Sequence, residues 1–282
     1  MMRYKFLFII LLFSSQIIGQ KTPSILQINE FFNSKTYIVY EGSLFSSYNI
    51  YLKEAIDKEW DITPFQIISY GQFEEKRKEP NSSFLIVTNV QFNDDRTGTT
   101  YNFINLLLGG NYYSLDAMPD LVNIPLSLAG QDEEKYVYKL TGIIRFVQKH
   151  LRYLKENPQF ANISFDKLYK SKKTGFSTKT LFLLKDELAE NINTTAKLKS
   201  AYPFSVKISS KNEIEELIAS KNEDAVFLHI VAPDTQSGNR MCFKVLMSAN
   251  NSEIYYYDYH TVSARKQGCL LKKDLQKIAR YK

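Results

Sequence analysis

One ordered set of segments occurs twice along this chain, and this repetition constrains the fold more than any other sequence feature. A short β-rich segment, 35–40, corresponds to 179–184, and each is followed by apolar residues at helical spacing. Pro64 in the first half and Pro203 in the second then end the helical region, because the residue before a proline disfavours the helical conformation. The pattern predicts an internal duplication.

Each half continues through the same further elements. After the first helix and a second strand come a short charged helix, the most apolar strand of that half, two more strands and a closing helix. In the first half the helices are predicted at 46–60, 72–78 and 132–157, and the last three strands at 84–90, 100–108 and 115–128. In the second half the helices are predicted at 187–200, 212–220 and 272–281, and the last three strands at 225–231, 240–248 and 253–262. The pattern aligns Phe103 with Phe243.

We therefore predict an α/β (α+β) protein with two tandem βαβαβββα domains, each a mixed sheet with helices packed against it. The domains are expected to cover residues 24–157 and 178–282, and the polar segment 158–177 between them is interpreted as an exposed linker. Two domains also suit a chain of 282 residues, since one domain usually has roughly 100 to 200 residues.

The N-terminus has the layout of a secretory signal peptide. Arg3 and Lys5 precede an apolar stretch, 6–13, and a small polar exit that ends near Gly19. Residues 1–19 are therefore expected to be removed on export, most simply to the periplasm, with secretion or a cell-surface position left open. The apolar stretches of the remaining chain are strand-sized, whereas a membrane-spanning helix needs about 20 apolar residues, so no transmembrane segment is predicted in the mature chain.

The charge pattern argues against a nucleic-acid partner. The formal net charge is +6, and the basic residues are interspersed with acids rather than gathered in an arm or patch. A glycine-rich phosphate-binding loop does not follow the first strand of either half, so no cofactor is predicted.

Cys242 and Cys269 are the two cysteines of the chain. In an oxidising compartment an even number of cysteines allows a disulfide. Two buried free thiols are the alternative, because free cysteine often behaves as a small apolar residue. Both interpretations remain open at the level of sequence.

Four residues are weak candidates for catalysis: Asp94, Asp95, Asp234 and His260. Paired carboxylates could act as the acid and base of a glycosidase. However, Asp94 and Asp234 each stand four positions before a glycine, a spacing typical of turns in which the Asp side chain bonds its own following backbone. A structural role is therefore favoured for these carboxylates.

The three histidines do not form a recognisable metal motif. His229, Cys242 and His260 would supply ligand types suited to zinc if their strands were neighbours, but they lack the paired spacing that makes zinc motifs specific, so no metal site is predicted. His150 falls on the polar side of the predicted helix 132–157 and is expected to face solvent.

The tyrosine-rich strand 253–262 offers a weak candidate for a binding surface. Side chains alternate along a strand, so Tyr255, Tyr257 and Tyr259 are predicted on one face, and Tyr256, Asp258 and His260 on the other. Exposed aromatic rings with polar tips would suit a glycan or a peptide. Ordinary packing within the sheet is the favoured alternative.

The chain resembles uncharacterised exported proteins of Bacteroidota-type bacteria. The resemblance rests on the two copies of Lys-Thr, helix, Pro-Phe, strand, charged helix and strand, on a leader that ends near Gln20, and on the bias towards Lys, Asn and Ile. In strand order each unit is also similar to the small α/β domains at the N-terminus of the periplasmic protein TolB and in the curli secretion factor family. The resemblance implies a role in envelope assembly or scaffolding, in which such domains bind protein partners.

Together these features predict a non-enzymatic, exported envelope protein that binds a protein or a glycan. A hydrolase that acts on cell-envelope polymers is the alternative.

Overall fold

The structure, a computed structural model, describes residues 22–172, 174–233 and 239–281. The predicted signal peptide, 1–19, lies outside these residues. Within them the chain forms two mixed sheets of five strands each, with helices packed alongside.

The first sheet and its helices are formed by residues 25–156. The elements are α1 (Ile25–Phe32), β1 (Lys35–Val39), α2 (Ser47–Glu59), β2 (Phe65–Ile68), α3 (Tyr70–Lys76), β3 (Ser82–Gln91), β4 (Thr100–Leu108), β5 (Asp120–Leu128) and α4 (Leu140–Glu156). A further short helix, α5 (Phe165–Lys170), follows in the segment between the repeats.

The second sheet and its helices are formed by residues 180–278. The elements are β6 (Thr180–Leu184), α6 (Thr195–Ala201), β7 (Val206–Ser209), α7 (Lys211–Ala219), β8 (Ala225–Val231), β9 (Met241–Ser248), β10 (Ile254–Thr261) and α8 (Lys272–Ile278).

Both sheets have the same topology. The strand order is β2-β1-β3-β4-β5 in the first sheet and β7-β6-β8-β9-β10 in the second. In each, the first three strands pair in parallel and the last three in antiparallel fashion. The register agrees too, since Phe103 pairs with Thr88 and Phe243 pairs with Val231. The predicted pair of βαβαβββα units is confirmed, with α1 as an addition before the first.

The first helix of the second repeat is shorter than predicted. Two single 3₁₀ turns, Lys185–Glu187 and Glu190–Ile192, precede α6, which begins only at Thr195. Leu188 is extended there and bridges to Leu270, and Ala189 donates a backbone hydrogen bond to the Leu270 carbonyl at 3.0 Å. This contact with the C-terminal region holds the backbone out of a helix, and Thr194 then caps the start of α6.

The long helix of the first repeat also begins later than predicted. Two 3₁₀ turns, Glu133–Lys135 and Val137–Lys139, precede α4 at Leu140. The apolar side of α4 packs between the two sheets, and Gly142 shows how closely they approach. A Cβ at Gly142 would lie 3.0 Å from the Phe227 ring on β8, so a side chain at this position would require the ring to shift.

The two repeats share one hydrophobic core. The Phe103 and Phe243 rings meet edge to face with centroids 5.7 Å apart. The Tyr101 hydroxyl accepts a hydrogen bond from the Met241 backbone N–H at 2.7 Å and donates one to its carbonyl at 3.1 Å. One face of the second sheet thus lies against α4 and the edge of the first sheet, while its other face packs on α6 and α8.

The segment that we interpreted as an exposed linker is partly buried. Phe165 and Tyr169 on α5 pack against Phe146 of α4, and Phe165 also meets the Tyr257 ring on β10. The interpretation was wrong because it rested on composition. Polar residues outnumber aromatic ones in 158–177, so the composition does not indicate that the aromatic residues are buried. As a result α5 covers the junction between the repeats.

A membrane-crossing helix is not found among the residues that the structure describes, since none is both long and apolar enough.

Candidate functional site

A cleft of about 600 Å³ lies where the two repeats meet, and we call it the junction cleft. The first repeat contributes the loop 92–96 at the end of β3, α5 contributes Asp166, and the second repeat contributes parts of β9 and β10. Its aromatic side chains are Phe92, Phe243 and Tyr259, and its polar ones include Asp94, Arg96, Asp166 and Thr261. Pockets of this volume at domain junctions, with a few convergent polar groups, are typical of ligand sites.

The loop that carries Asp94 is held by its neighbour Asp95. The Asp95 Oδ1 atom accepts hydrogen bonds from the Thr97 backbone N–H at 2.8 Å and from the Thr97 hydroxyl at 2.5 Å. Burial would raise the pKa of Asp95, but the hydrogen bonds from Thr97 and Thr99 lower it below its usual value. Asp95 therefore forms the turn, whereas the spacing had favoured Asp94 in that role. Asp94 is instead exposed and lines the cleft. The matching turn at Asp234 lies outside the described residues.

Asp166 is a cleft residue that the sequence did not reveal. Its carboxylate accepts a hydrogen bond from the Tyr257 hydroxyl at 2.7 Å, which fixes α5 against β10. The order Ser164, Phe165, Asp166 is typical of a helix start, with a capping residue and an acid in the first turn. That signal could have predicted α5, although not the surface on which it packs.

Tyr259 forms the aromatic wall of the cleft. Its ring lies 5.8 Å from the Phe243 ring, and the Lys170 ammonium lies 3.9 Å from its centroid. The ammonium also approaches Asp258 Oδ1 at 3.4 Å. A cation over the ring face holds Tyr259 in place, so the wall is preorganised.

The rest of the predicted tyrosine surface is buried. Tyr255, Tyr256 and Tyr257 are 7%, 1% and 3% exposed, so an exposed platform at these three residues is wrong. A bulge between Ile254 and Tyr256 also breaks the predicted alternation. Tyr255 packs on Phe176, 5.0 Å between centroids, in a different part of the core from Tyr257.

Asp258 belongs to an ion-pair network on the opposite face of the second sheet. It accepts hydrogen bonds from Lys277 at 2.9 Å and from the Tyr256 hydroxyl at 3.1 Å. Burial opposes ionisation, but Lys277, Lys244 and Lys170 together lower the pKa of Asp258 to about 2. Deeper in the same network, Lys244 pairs with Asp274 at 2.7 Å. The arrangement attaches α8 to the sheet. Asp258 does not line the cleft, and the network reaches it through Lys170, which also lies over the Tyr259 ring.

The three side chains considered as zinc ligands do not converge. Cys242 pairs with His260 across β9 and β10, whereas His229 pairs with Val245 and points to the other face. There its Nε2 atom lies 2.8 Å from the Pro125 carbonyl oxygen of the first repeat. The hypothesis that they approach one another is therefore wrong, and no group of three potential metal ligands occurs within the part of the chain that the structure describes.

His260 points away from the cleft, on the opposite face of β10 from Tyr259 and Thr261. It is 8% exposed, and its Nε2 atom lies 2.8 Å from the Gln267 carbonyl oxygen. Among the described candidates for catalysis, Asp94 is therefore the residue placed on the junction cleft.

Both cysteines are free and buried. The Cys242 thiol lies 4.0 Å from the Cys269 carbonyl oxygen, and no disulfide joins them. Burial raises the pKa of Cys242 to about 12 and that of Cys269 to about 11, so both are neutral thiols.

His150 was expected to face solvent and instead lies beneath α5. It is 4% exposed, and its Nδ1 atom lies 2.7 Å from the Tyr169 hydroxyl. The expectation was wrong because α4 is covered on two sides, by its own sheet and by α5. The side of α4 that carries His150 is therefore buried under α5 and does not face solvent.

Comparison of the chain with models of protein families, with curated protein sequences and with solved structures found no match. The resemblance to exported envelope proteins therefore stays a prediction.

Proposed function

We propose that this protein is a non-enzymatic, exported binding module that holds a glycan of the cell envelope in the junction cleft. The observation that carries the proposal is the composition of the cleft, in which Phe92 and Tyr259 stand beside Asp94, Arg96 and Asp166. Sugar rings present apolar C–H faces that stack on aromatic rings. Their hydroxyl groups pair with carboxylates, guanidinium groups and amides.

The packing of the repeats supports a binding role. The cleft walls come from two repeats that share one core, and Tyr101, Phe103 and Phe243 join them directly. A cleft whose walls are fixed before the ligand arrives costs less ordering entropy on binding. Export to the envelope rests on the signal-peptide pattern of residues 1–19.

The proposal can be tested with the purified protein and solubilised envelope polysaccharides in a glycan-binding assay. Tyr259→Ala and Asp94→Ala are expected to weaken glycan binding at least about tenfold, which corresponds to about 1.4 kcal/mol. The matched controls are Tyr113→Ala and Asp61→Ala, because Tyr113 is 90% exposed and the Asp61 side chain is 72% exposed, both outside the cleft. Equal binding by all four variants, or no glycan binding by the wild type, would contradict the proposal.

A hydrolase is the second candidate, favoured by two carboxylates, Asp94 and Asp166, on the same cleft. In that case one would protonate the leaving group and the other would act as base or nucleophile. Mass spectrometry of glycans incubated with the protein separates the two candidates. Products that form with the wild type and disappear with both Asp94→Asn and Asp166→Asn would establish hydrolysis and exclude the non-enzymatic role.

A further inference from the structure

A second cavity, of about 420 Å³, lies on the other side of α5, and we call it the apolar pocket. Its walls come from α4, from the segment between the repeats and from the turn that leads into β10. The side chains that define its interior are Phe146, Tyr153, Phe160, Leu168, Tyr169 and Ile254.

The interior of the pocket is mainly aromatic and aliphatic. Phe146 and Tyr169 meet edge to face, with centroids 5.4 Å apart. Tyr153 stacks on Phe160, with centroids 5.6 Å apart and ring planes 18° from parallel. Phe146 and Ile254 are each 1% exposed, so these walls are anchored in the core. Such a surface selects a ligand with an apolar body, because burying it removes apolar area from water.

The pocket also carries an excess of positive charge. Lys149 and Lys172 both pair with Glu253, the former at 2.5 Å. Burial raises the pKa of Glu253, but the two lysines lower it below its usual value overall, so the carboxylate is ionised at neutral pH. Two ammonium groups against one carboxylate leave one positive charge. Each ammonium has three donors, so both can reach a second anion.

Ser252 adds a polar group without a partner. The residue is fully buried and lines the pocket, and its hydroxyl has no hydrogen-bond partner among the described residues. Its backbone φ of 54° lies in the left-handed region, which is uncommon for a residue other than glycine. A buried hydroxyl left unpaired costs free energy, and Ser252 adjoins Glu253, the carboxylate that holds both lysines.

We propose that the apolar pocket binds an amphiphilic carboxylate, with its apolar body against Phe146, Leu168 and Tyr169 and its carboxylate at Lys149 and Lys172. The charge excess selects an anion, and the walls select an aliphatic or aromatic body. The site is independent of glycan binding in the junction cleft.

The test is isothermal titration calorimetry with two ligands of the same chain length and opposite head charge, dodecanoate and dodecyltrimethylammonium, each below its micelle concentration. Dodecanoate is expected to bind one site at least about tenfold more tightly than the cation, because only its carboxylate can accept charge-assisted hydrogen bonds from Lys149 and Lys172. No binding of dodecanoate, or equal binding of the two ligands, would overturn the proposal.

Variants locate the site. The double substitution Lys149→Gln and Lys172→Gln is expected to remove the preference for dodecanoate. Lys53→Gln with Lys207→Gln is the matched control, since both lysines also pair with carboxylates at the surface, on α2 and β7, away from the pocket. Leu168→Ala is expected to weaken dodecanoate binding while circular dichroism shows the fold retained. Affinity unchanged by the lysine substitutions would also overturn the proposal.

Tyr259→Ala, which changes the junction cleft, should bind dodecanoate like the wild type. Loss of glycan binding and loss of carboxylate binding are therefore separable, and either proposal can fail without the other.

Discussion

Arg145 on α4 makes a two-point ion pair with Glu59 on α2, from Nε to Oε2 at 3.1 Å and from Nη2 to Oε1 at 2.9 Å. The remaining donors of the guanidinium reach the second repeat, at the backbone carbonyls of Ile218, Ala249 and Asn250. Its side chain is 11% exposed and that of Glu59 is 4% exposed. All five donors of one arginine are thus engaged, and they tie two helices of the first repeat to the end of α7 and to the turn between β9 and β10 in the second.

Arg145→Met is expected to lower the free energy of unfolding by about 1–3 kcal/mol, because several carbonyls of the second repeat lose their donor and Glu59 keeps only its pair with Lys221, at 3.1 Å. Urea unfolding followed by circular dichroism measures the change. Arg152→Met is the matched control on the same helix. Arg152 pairs with Asp61 at the surface, with side chains 44% and 72% exposed, and a pair of that kind contributes about 0–1 kcal/mol. Equal effects of the two substitutions would show that Arg145 does not join the repeats.

Tyr101 offers a milder test of the contact between the repeats. Tyr101→Phe keeps the ring in the shared core but removes the hydroxyl bonded to the Met241 N–H and carbonyl. The expected loss of unfolding free energy is about 1–3 kcal/mol, because the backbone of Met241 is left unsatisfied. Tyr113→Phe is the control, because Tyr113 is 90% exposed and its substitution should change stability by less than about 0.5 kcal/mol. A loss no larger than that of the control would mean that the Tyr101 hydroxyl adds nothing to the junction.

The order of strands and helices could be predicted because its signals are local and occur twice. Pro64 and Pro203 end corresponding helical regions, and Phe103 and Phe243 occupy the same register in the two sheets. The first helix of the second repeat could not be delimited, since the bridge between Leu188 and Leu270 joins residues far apart in sequence. A local pattern does not report such a contact.

The burial of each sheet face could not be predicted from the sequence. For this reason the candidate site in the structure differs from the predicted tyrosine surface. Alternation along a strand identifies two faces but not what covers them. Tyr256 and Tyr257 are both buried, one under α8 and its neighbours and the other under α5 and the first repeat. Tyr259 reaches the cleft because it lies near the open end of the same strand.

The two copies also differ in one polar network. In the first sheet, the Thr88 hydroxyl donates to Asn105, whose amide donates to Asp120 at 2.8 Å. The register places Val231 and Val245 at the positions of Thr88 and Asn105 in the second sheet. The valines face the first repeat in the shared core. This difference explains why polar residues that distinguish the copies need not have a catalytic role.

Because two histidines are buried, we expect the stability of the folded protein to decrease in acid. Burial lowers the pKa of His150 to about 4, and burial together with the nearby Lys139 ammonium lowers that of His229 to about 3. Both are neutral in the folded state, whereas the unfolded chain binds protons with the ordinary pKa of about 6.5. The unfolded state therefore binds more protons between pH 6.5 and 4, and stability falls as pH falls through this window. The imidazole NMR signals of both residues should not titrate between pH 8 and pH 5. A midpoint near pH 6.5 for either one would contradict its burial.

For Asp120 we expect the opposite effect of pH on the stability of the folded protein. Burial raises the pKa of its carboxyl to about 7, although Asn123 and Asn105 donate hydrogen bonds to Oδ2, and Oδ1 has no partner among the described residues. The folded state thus binds more protons than the unfolded state above the ordinary pKa of 3.8. This contribution to stability is fully present at low pH and is lost as pH rises through about 7.

Asp120→Asn mimics the protonated acid at every pH, so its stability relative to the wild type should rise by about 2 kcal/mol between pH 5 and pH 8. Urea unfolding of both proteins at the two pH values measures this difference, from which the contributions of the histidines cancel. Asp61→Asn, at the surface, should show no such rise. If Asp120→Asn follows the wild type at both pH values, the carboxyl is already ionised at pH 5, and its Oδ1 atom must then have a partner such as a bound water or cation.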